Sequence, residues 1–241
     1  MTNHRPGSIM IISIQQPEYF PWVGYFDKFV QVDEVVILDN VQFKKRYFEN
    51  RNKVRTAKGW CWIRTPVLTK GRFNQLIMDV EIDNTRFWKN KLADTIRQNY
   101  YSAPYWKTRG EELCTFIESS NHIQLVEFNL AIIYFLAEAL GVAKRTRLAS
   151  SLKTHKSGSS QLLEICRWMN CETYLSGRNG RNYLNEEAFR SHGIEIRYQD
   201  FTHPVYPQHQ GGGFVPAMSA LDMLFNLGPE CAEMFSNRVL T

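Results

Sequence analysis

The 241-residue chain is 44% hydrophobic and 22% charged, the composition of a soluble globular protein with room for a sizeable core. Five cysteines (Cys61, Cys114, Cys166, Cys171 and Cys231), odd in number and without C-x-x-C spacing, argue against a zinc site or a disulfide framework and for a reducing cytoplasm. The net charge of +5 is mild, but its Lys and Arg cluster at residues 44–64 and 144–156, which suits a phosphorylated small molecule, or an RNA, better than a neutral ligand.

Neither a signal-peptide core in MTNHRPGS nor a bilayer-length apolar run is present. The most apolar stretch, residues 124–140, is interrupted by Glu127, Asn129 and Glu138 and reads as a buried helix. In chain order, residues 10–43 read as a β-α-β unit: a strand at 10–14, a polar aromatic turn at 15–22, a helix at about 23–32 and a strand at 35–38. Pro17 and Pro21 fix φ and restrict the residues before them, so the turn holds Gln15, Gln16, Tyr19 and Trp22 in defined positions. The second strand ends in Asp39, Asn40 and Gln42.

Residues 43–59 form a basic loop in which Asn50, Arg51 and Lys53 are candidate anion contacts. The β-rich runs WCWIRTPVL and QLIMDVEI predict a hairpin-like pair over residues 60–82, able to extend the sheet. From 84 to 141 the pattern turns helical. An amphipathic helix at 86–100 is followed by one starting at Ala103-Pro104 and by the buried helix that stops at Gly141.

Strands resume at 145–149, 171–175 and 194–198. The first leads into Lys153-Thr154-His155-Lys156-Ser157-Gly158-Ser159 before a helix capped by Ser159 or Ser160. Free backbone N–H groups, the helix dipole and two lysines make this either a phosphate cradle or a simple capped loop. The second strand ends in Ser176-Gly177, ahead of a helix at 182–192. The third ends in Gln199-Asp200 and a loop that holds His203, Tyr206, Gln208, His209 and three consecutive glycines, before Ser219 caps a final helix.

Polar groups therefore follow five different strands: Gln15-Gln16, Asp39-Asn40-Gln42, Lys153-His155-Lys156, Ser176-Gly177 and Asp200-His203. If the strands are parallel, all five meet at one carboxyl edge. The expected architecture is α/β: one domain over residues 1–241, with a mostly parallel Rossmann-like sheet flanked by helices and a helical insertion at about 84–141. Asp200 and His203 are expected to pair, the carboxylate orienting the imidazole and raising its basicity, with Asp39 as a second acid/base group or a hydroxyl ligand. The expected substrate contacts are Gln15, Gln16, Tyr19, Trp22, Asn40, Gln42, Arg51, Lys53, Lys153, His155, Lys156, Ser176, Gly177, Tyr206 and Gln208. The alternative for His203 is an ordinary hydrogen-bonded loop histidine. A metal on Asp39, Asp200, His203 and His209 is the minor alternative, because metal-ligand spacing is missing, and the sequence names no cofactor either way; the absence of G-x-S-x-G and G-x-G-x-x-G argues against a hydrolase triad and a dinucleotide oxidoreductase.

The residues also resemble a known family. Gln16-Pro17-x-Tyr19-x-Pro21-Trp22-x-Gly24-Tyr25-Phe26-Asp27-Lys28, Val36-Ile37-Leu38-Asp39-Asn40-Val41-Gln42-Phe43 and Gln98-Asn99-Tyr100 with Ala103-Pro104-Tyr105 resemble WbqC-like proteins. So do Thr173-Tyr174-Leu175-Ser176-Gly177 with Gly180-Arg181-x-Tyr183-Leu184, Gln199-Asp200-Phe201-x-His203-Pro204-x-Tyr206-Pro207-Gln208, and Ser219-Ala220-Leu221-Asp222-x-Leu224-Phe225-Asn226-x-Gly228. The family often has His-Gln-Pro where this chain has Gln15-Gln16-Pro17. The resemblance implies a place in bacterial gene clusters for surface polysaccharides and some specialised metabolites, without fixing a reaction; an enzyme, a transferase, is the favoured expectation. The leading expectation is acyl or aminoacyl transfer onto a nucleotide-activated amino sugar. Nucleotidyl or adenylyl transfer and a non-catalytic scaffold role stand as alternatives. The expected partners are a nucleotide sugar and an acyl or aminoacyl donor; nucleic acid is disfavoured, with tRNA as a donor left open.

Overall fold

Alternation along the first strand sets up both layers of the fold. In β1 (Ile11–Gln15) Ile12 and Ile14 face one side, while Ser13 and Gln15 face the other. Ile12 and Ile14 join Leu162, Ile165 and Phe189 in the smaller of two apolar clusters. On the opposite face α1 (Val23–Val30) packs Val23, Phe26 and Phe29 against Val35 and Ile37 of β2 (Glu34–Ile37) in the larger cluster. The computed structural model describes residues 9–236; the MTNHRPGS segment, read above as lacking a signal-peptide core, lies outside them.

After β2 come β3 (Arg51–Thr56) and β4 (Gly59–Arg64), then α2 (Trp88–Tyr100), α3 (Trp106–Ser119) and α4 (Leu125–Ala139). The chain returns through β5 (Arg145–Leu148), α5 (Gly158–Trp168), β6 (Thr173–Ser176), α6 (Glu186–Arg190) and β7 (Glu195–Tyr198), and closes with α7 (Ala220–Leu227) and α8 (Cys231–Ser236). Five strands form one sheet in the order β5-β2-β1-β6-β7, and every pairing in it is parallel. This is a Rossmann-like α/β fold with a helical insertion between β4 and β5. The order reverses between β1 and β6, whose outgoing connections lead to opposite sides of the sheet, and such a crevice is where open α/β sheets bind ligands.

The hairpin differs from expectation in strand choice and in placement. It is β3 paired with β4 in register Arg51↔Arg64, and it forms a sheet of its own. The segment QLIMDVEI contributes only a short 3-10 turn at Ile77–Asp79 and isolated bridges. The strand RNKVRT hides its period of two because Arg51, Lys53 and Arg55 are all cationic, and Arg55 is buried along with Asn52 and Val54 while Arg51 and Lys53 are only partly so. Among the described residues no helix is long and apolar enough to cross a membrane.

Candidate functional site at the carboxyl edge

Gln15 ends β1 beside the point between β1 and β6 where the strand order reverses. This side chain is 6% exposed, yet neither its amide oxygen nor its nitrogen has a partner. An unpaired buried amide costs about 1–3 kcal/mol, which marks the position as one that a ligand or water would satisfy. Gln16 beside it is half-buried, and Tyr19 is packed in the core against Phe20 and Phe128. Across the crevice Ser176 is buried, its hydroxyl donating to the Gly177 carbonyl at 3.2 Å. A Cβ on Gly180 would sit 2.1 Å from that hydroxyl oxygen. Gly180→Ala is therefore expected to destabilise the fold by about 1–3 kcal/mol, measurable by urea unfolding; an unchanged midpoint would show that the turn relaxes freely.

The neighbouring exits are tied down by protein groups. Asp39, buried at the end of β2, accepts the Ser150 backbone N–H at 2.8 Å and its hydroxyl at 2.5 Å, so it staples the β2 and β5 exits together. Asn40 accepts from Gln161 at 2.9 Å and donates to Thr154 at 3.3 Å. Gln42 is exposed and reaches Asn74. The expected phosphate cradle has a different occupant: the N–H groups of His155 and Lys156 both donate to Glu164 Oε2, at 3.0 and 3.1 Å. The helix N-cap there is Ser157, without a side-chain cap bond, while the Ser159 hydroxyl accepts from Asn185 N–H. Lys153, His155 and Lys156 are exposed on this loop.

The β7 exit loop supplies the most chemically poised group. Gln199 donates to the Gly24 carbonyl at 2.8 Å and to Asp27 Oδ2 at 2.7 Å, binding this loop to the start of α1. Trp22, the N-cap residue of α1, lies over Gly24 so closely that a Cβ there would meet its ring at 2.3 Å. His203 stacks near this indole, with ring centroids 6.2 Å apart and planes 25° apart, and lies 6.3 Å from Tyr206 on another side. Phe201 and Phe214 complete an aromatic box around the imidazole. His203 Nδ1 is 2.8 Å from the Pro204 carbonyl, which can only accept, so Nδ1 carries the proton. Nε2 is buried without a hydrogen-bond partner, and in the neutral ring it is the acceptor nitrogen. Asp200 extends outward, its carboxylate 3.3 Å from Arg178 and its side chain 95% exposed. The carbonyl of Pro204 thus fills the orienting role that the sequence reading gave to Asp200.

Tyr206 and Gln208 are anchored rather than open. Both donate to Asp222 Oδ2, at 2.9 and 2.7 Å, and Tyr100 donates to Oδ1 at 3.1 Å. Burial holds the Asp222 carboxyl above its ordinary value, although these three donors oppose the shift. Arg51 and Lys53 lie on the β3–β4 hairpin, outside the parallel sheet, stacked on Trp62 and Trp60.

Sequence reasoning missed a pair of glutamates. Burial pushes Glu18, in the β1 exit turn, up to about 7, with Lys28 opposing and Glu49 adding to the shift. Glu49 is fully buried, both its carboxylate oxygens lack partners, and desolvation pushes it up to about 7 as well. Asn129 of α4 donates to the Pro17 and Glu49 carbonyls at 2.9 and 2.7 Å and so joins the two segments. No local motif flags these residues, because the long-range packing alone removes them from water. A raised folded-state value means that the native state holds the proton more tightly than the unfolded chain. Stability is then complete below the ordinary glutamate value of 4.5 and falls as pH rises through about 7. Glu49→Gln is expected to flatten that decline and to be more stable than the parent at pH ~8 by about 1–3 kcal/mol, as read by urea unfolding. An identical pH profile in the variant would exclude Glu49 as its source.

The chain is similar to known proteins along almost its whole length. A family model described as the WbqC-like protein family matches residues 16–234. Rv1507c of Mycobacterium tuberculosis (strain ATCC 25618 / H37Rv), an uncharacterised protein, is 33% identical over 224 residues, covering 92% of this chain and 96% of its own length. No solved structure matches. The chain belongs to the WbqC-like protein family.

Proposed function

We propose that the protein is a transferase of bacterial surface-polysaccharide or related specialised-metabolite assembly. It moves an acyl or aminoacyl group onto the amine of a nucleotide-activated amino sugar. One observation carries this reading: the His203 imidazole, oriented by its Nδ1 contact with Pro204, holds a buried Nε2 without a hydrogen-bond partner in an aromatic box on the sheet's carboxyl side. A neutral imidazole held in one tautomer is the form that a general base needs.

In the proposed step the acceptor nitrogen bonds to the acyl carbonyl carbon while that carbon's bond to the donor's leaving atom breaks. Nε2 takes the proton released by the nitrogen and returns it to the leaving atom. The rings of Trp22 and Phe214 offer flat surfaces for a sugar or base, and the unpaired Gln15 amide offers both a donor and an acceptor for sugar hydroxyls. The experiment is incubation with nucleotide-activated amino sugars and acyl or aminoacyl donors, read by the mass of the sugar product. The expected result is a sugar heavier by the acyl group. Failure of every nucleotide sugar to be modified, together with failure of each to raise Tm, would overturn the reading.

A further inference from the structure

The two faces of the β3–β4 hairpin have opposite character. The register Arg51↔Arg64 and Lys53↔Trp62 puts Arg51, Lys53, Trp60, Trp62 and Arg64 on one face, while Asn52, Val54 and Ile63 are buried on the other. A water-facing side ordinarily carries polar residues; this one shows Trp60 and Trp62, 44% and 37% exposed. The Arg51 guanidinium lies 4.2 Å from the Trp62 ring centre and Lys53 Nζ lies 4.3 Å from that of Trp60. The rings continue in series: Trp60 to Trp62 at 5.5 Å, Trp62 to Phe48 at 6.4 Å and Phe48 to Tyr47 at 5.3 Å. Among the described residues no carboxylate is ion-paired with Arg51, Lys53 or Arg64. Trp62 and Arg64 also line a cleft of about 310 Å³ together with Phe87 and Lys91, at the start of α2.

Cations alone would suit any phosphate, and rings alone would suit a neutral sugar. Cations interleaved with rings along a row match a strand that offers alternating phosphates and π-faces. One nucleotide would occupy only part of a row of four rings. A two-fold contact with a second copy of the chain would set like charges against each other. We propose that this hairpin face, continued by Phe48 and Tyr47, binds single-stranded nucleic acid: bases stack on Trp60 and Trp62, and Arg51, Lys53 and Arg64 contact phosphates. The proposal is independent of the reading given to His203.

The test is fluorescence anisotropy with the full chain and short labelled oligo-U RNA or oligo-dT DNA, with a sulfated hexasaccharide and a neutral dextran oligomer as comparators. Saturable oligonucleotide binding that weakens with salt is expected, about tenfold weaker in Trp62→Ala and largely retained in Trp62→Phe. A preference for the RNA or for the DNA would name the natural strand. Lys53→Gln supplies a second readout, with weaker binding and a shallower salt dependence expected, whether or not Trp62→Ala folds. The proposal is overturned by absence of oligonucleotide binding, by tighter binding of the sulfated sugar, by Trp62→Ala that folds and binds as the parent does, or by an unchanged salt dependence in Lys53→Gln.

Discussion

Replacing His203 with Phe is expected to lower turnover of the proposed acyl transfer about a hundred- to ten-thousandfold while leaving Tm close to that of the parent. The ring that remains can still stack between Trp22 and Tyr206 and against Phe214, so packing changes little. What disappears is Nε2, the buried acceptor aligned by the Nδ1 contact with Pro204. His203→Ala should show the same kinetic loss with an added stability cost, because it empties the aromatic box. Asp200→Asn should have a far smaller effect, since its exposed pair with Arg178 is worth at most about 1 kcal/mol. Steady-state kinetics of the three variants beside their unfolding curves check this ordering. Full turnover in the Phe variant would remove His203 from the mechanism.

Asp222→Ala is expected to destabilise the fold by about 3–5 kcal/mol, since each buried donor left without its acceptor costs about 1–3 kcal/mol. The carboxylate is fully buried and accepts from Tyr100, Tyr206 and Gln208. Its loss would leave the Tyr100 and Tyr206 hydroxyls without this acceptor, and the Gln208 amide with only the Val215 carbonyl. The consequence would spread, because Gln208 Oε1 also accepts the Arg55 Nε–H and the Val215 backbone N–H. Arg55 in turn donates to the Gly59 and Gly211 carbonyls, linking the hairpin turn to the glycine loop. Asp222→Asn keeps the shape and one acceptor oxygen, so an intermediate loss is expected. Urea unfolding measures both, and an Asp222→Ala variant within about 1 kcal/mol of the parent would show that the network adds little net stability.

The sheet was legible because its parallel strands are short apolar runs, each followed at once by polar residues. Residues 10–14, 35–38, 145–149, 171–175 and 194–198 all fall on observed strands to within a residue or two. The hairpin was not legible in the same way. RNKVRT reads as a basic loop because burial of Asn52 and Val54 is decided by distant partners, including the Tyr19 and Phe20 carbonyls that Asn52 caps. That Trp22 and His203 lie in loops that follow strands was legible, whereas the partners of Asp39 and Gln208 were not. Their hydrogen bonds reach across the chain to Ser150, Arg55 and Asp222, and no local spacing encodes such pairings. In the sequence Asp222 is one residue of the helix after Ser219; only the arrival of Tyr100 from α2 shows it as a buried hub.

Hydrogen–deuterium exchange with a panel of nucleotide-activated amino sugars tests the proposed site most directly. Protection is expected together in the peptides spanning residues 15–24, 176–180 and 199–206, which flank the crevice where the strand order reverses. Protection confined to other segments, or no protection by any member of the panel, would contradict a ligand site at this edge of the sheet.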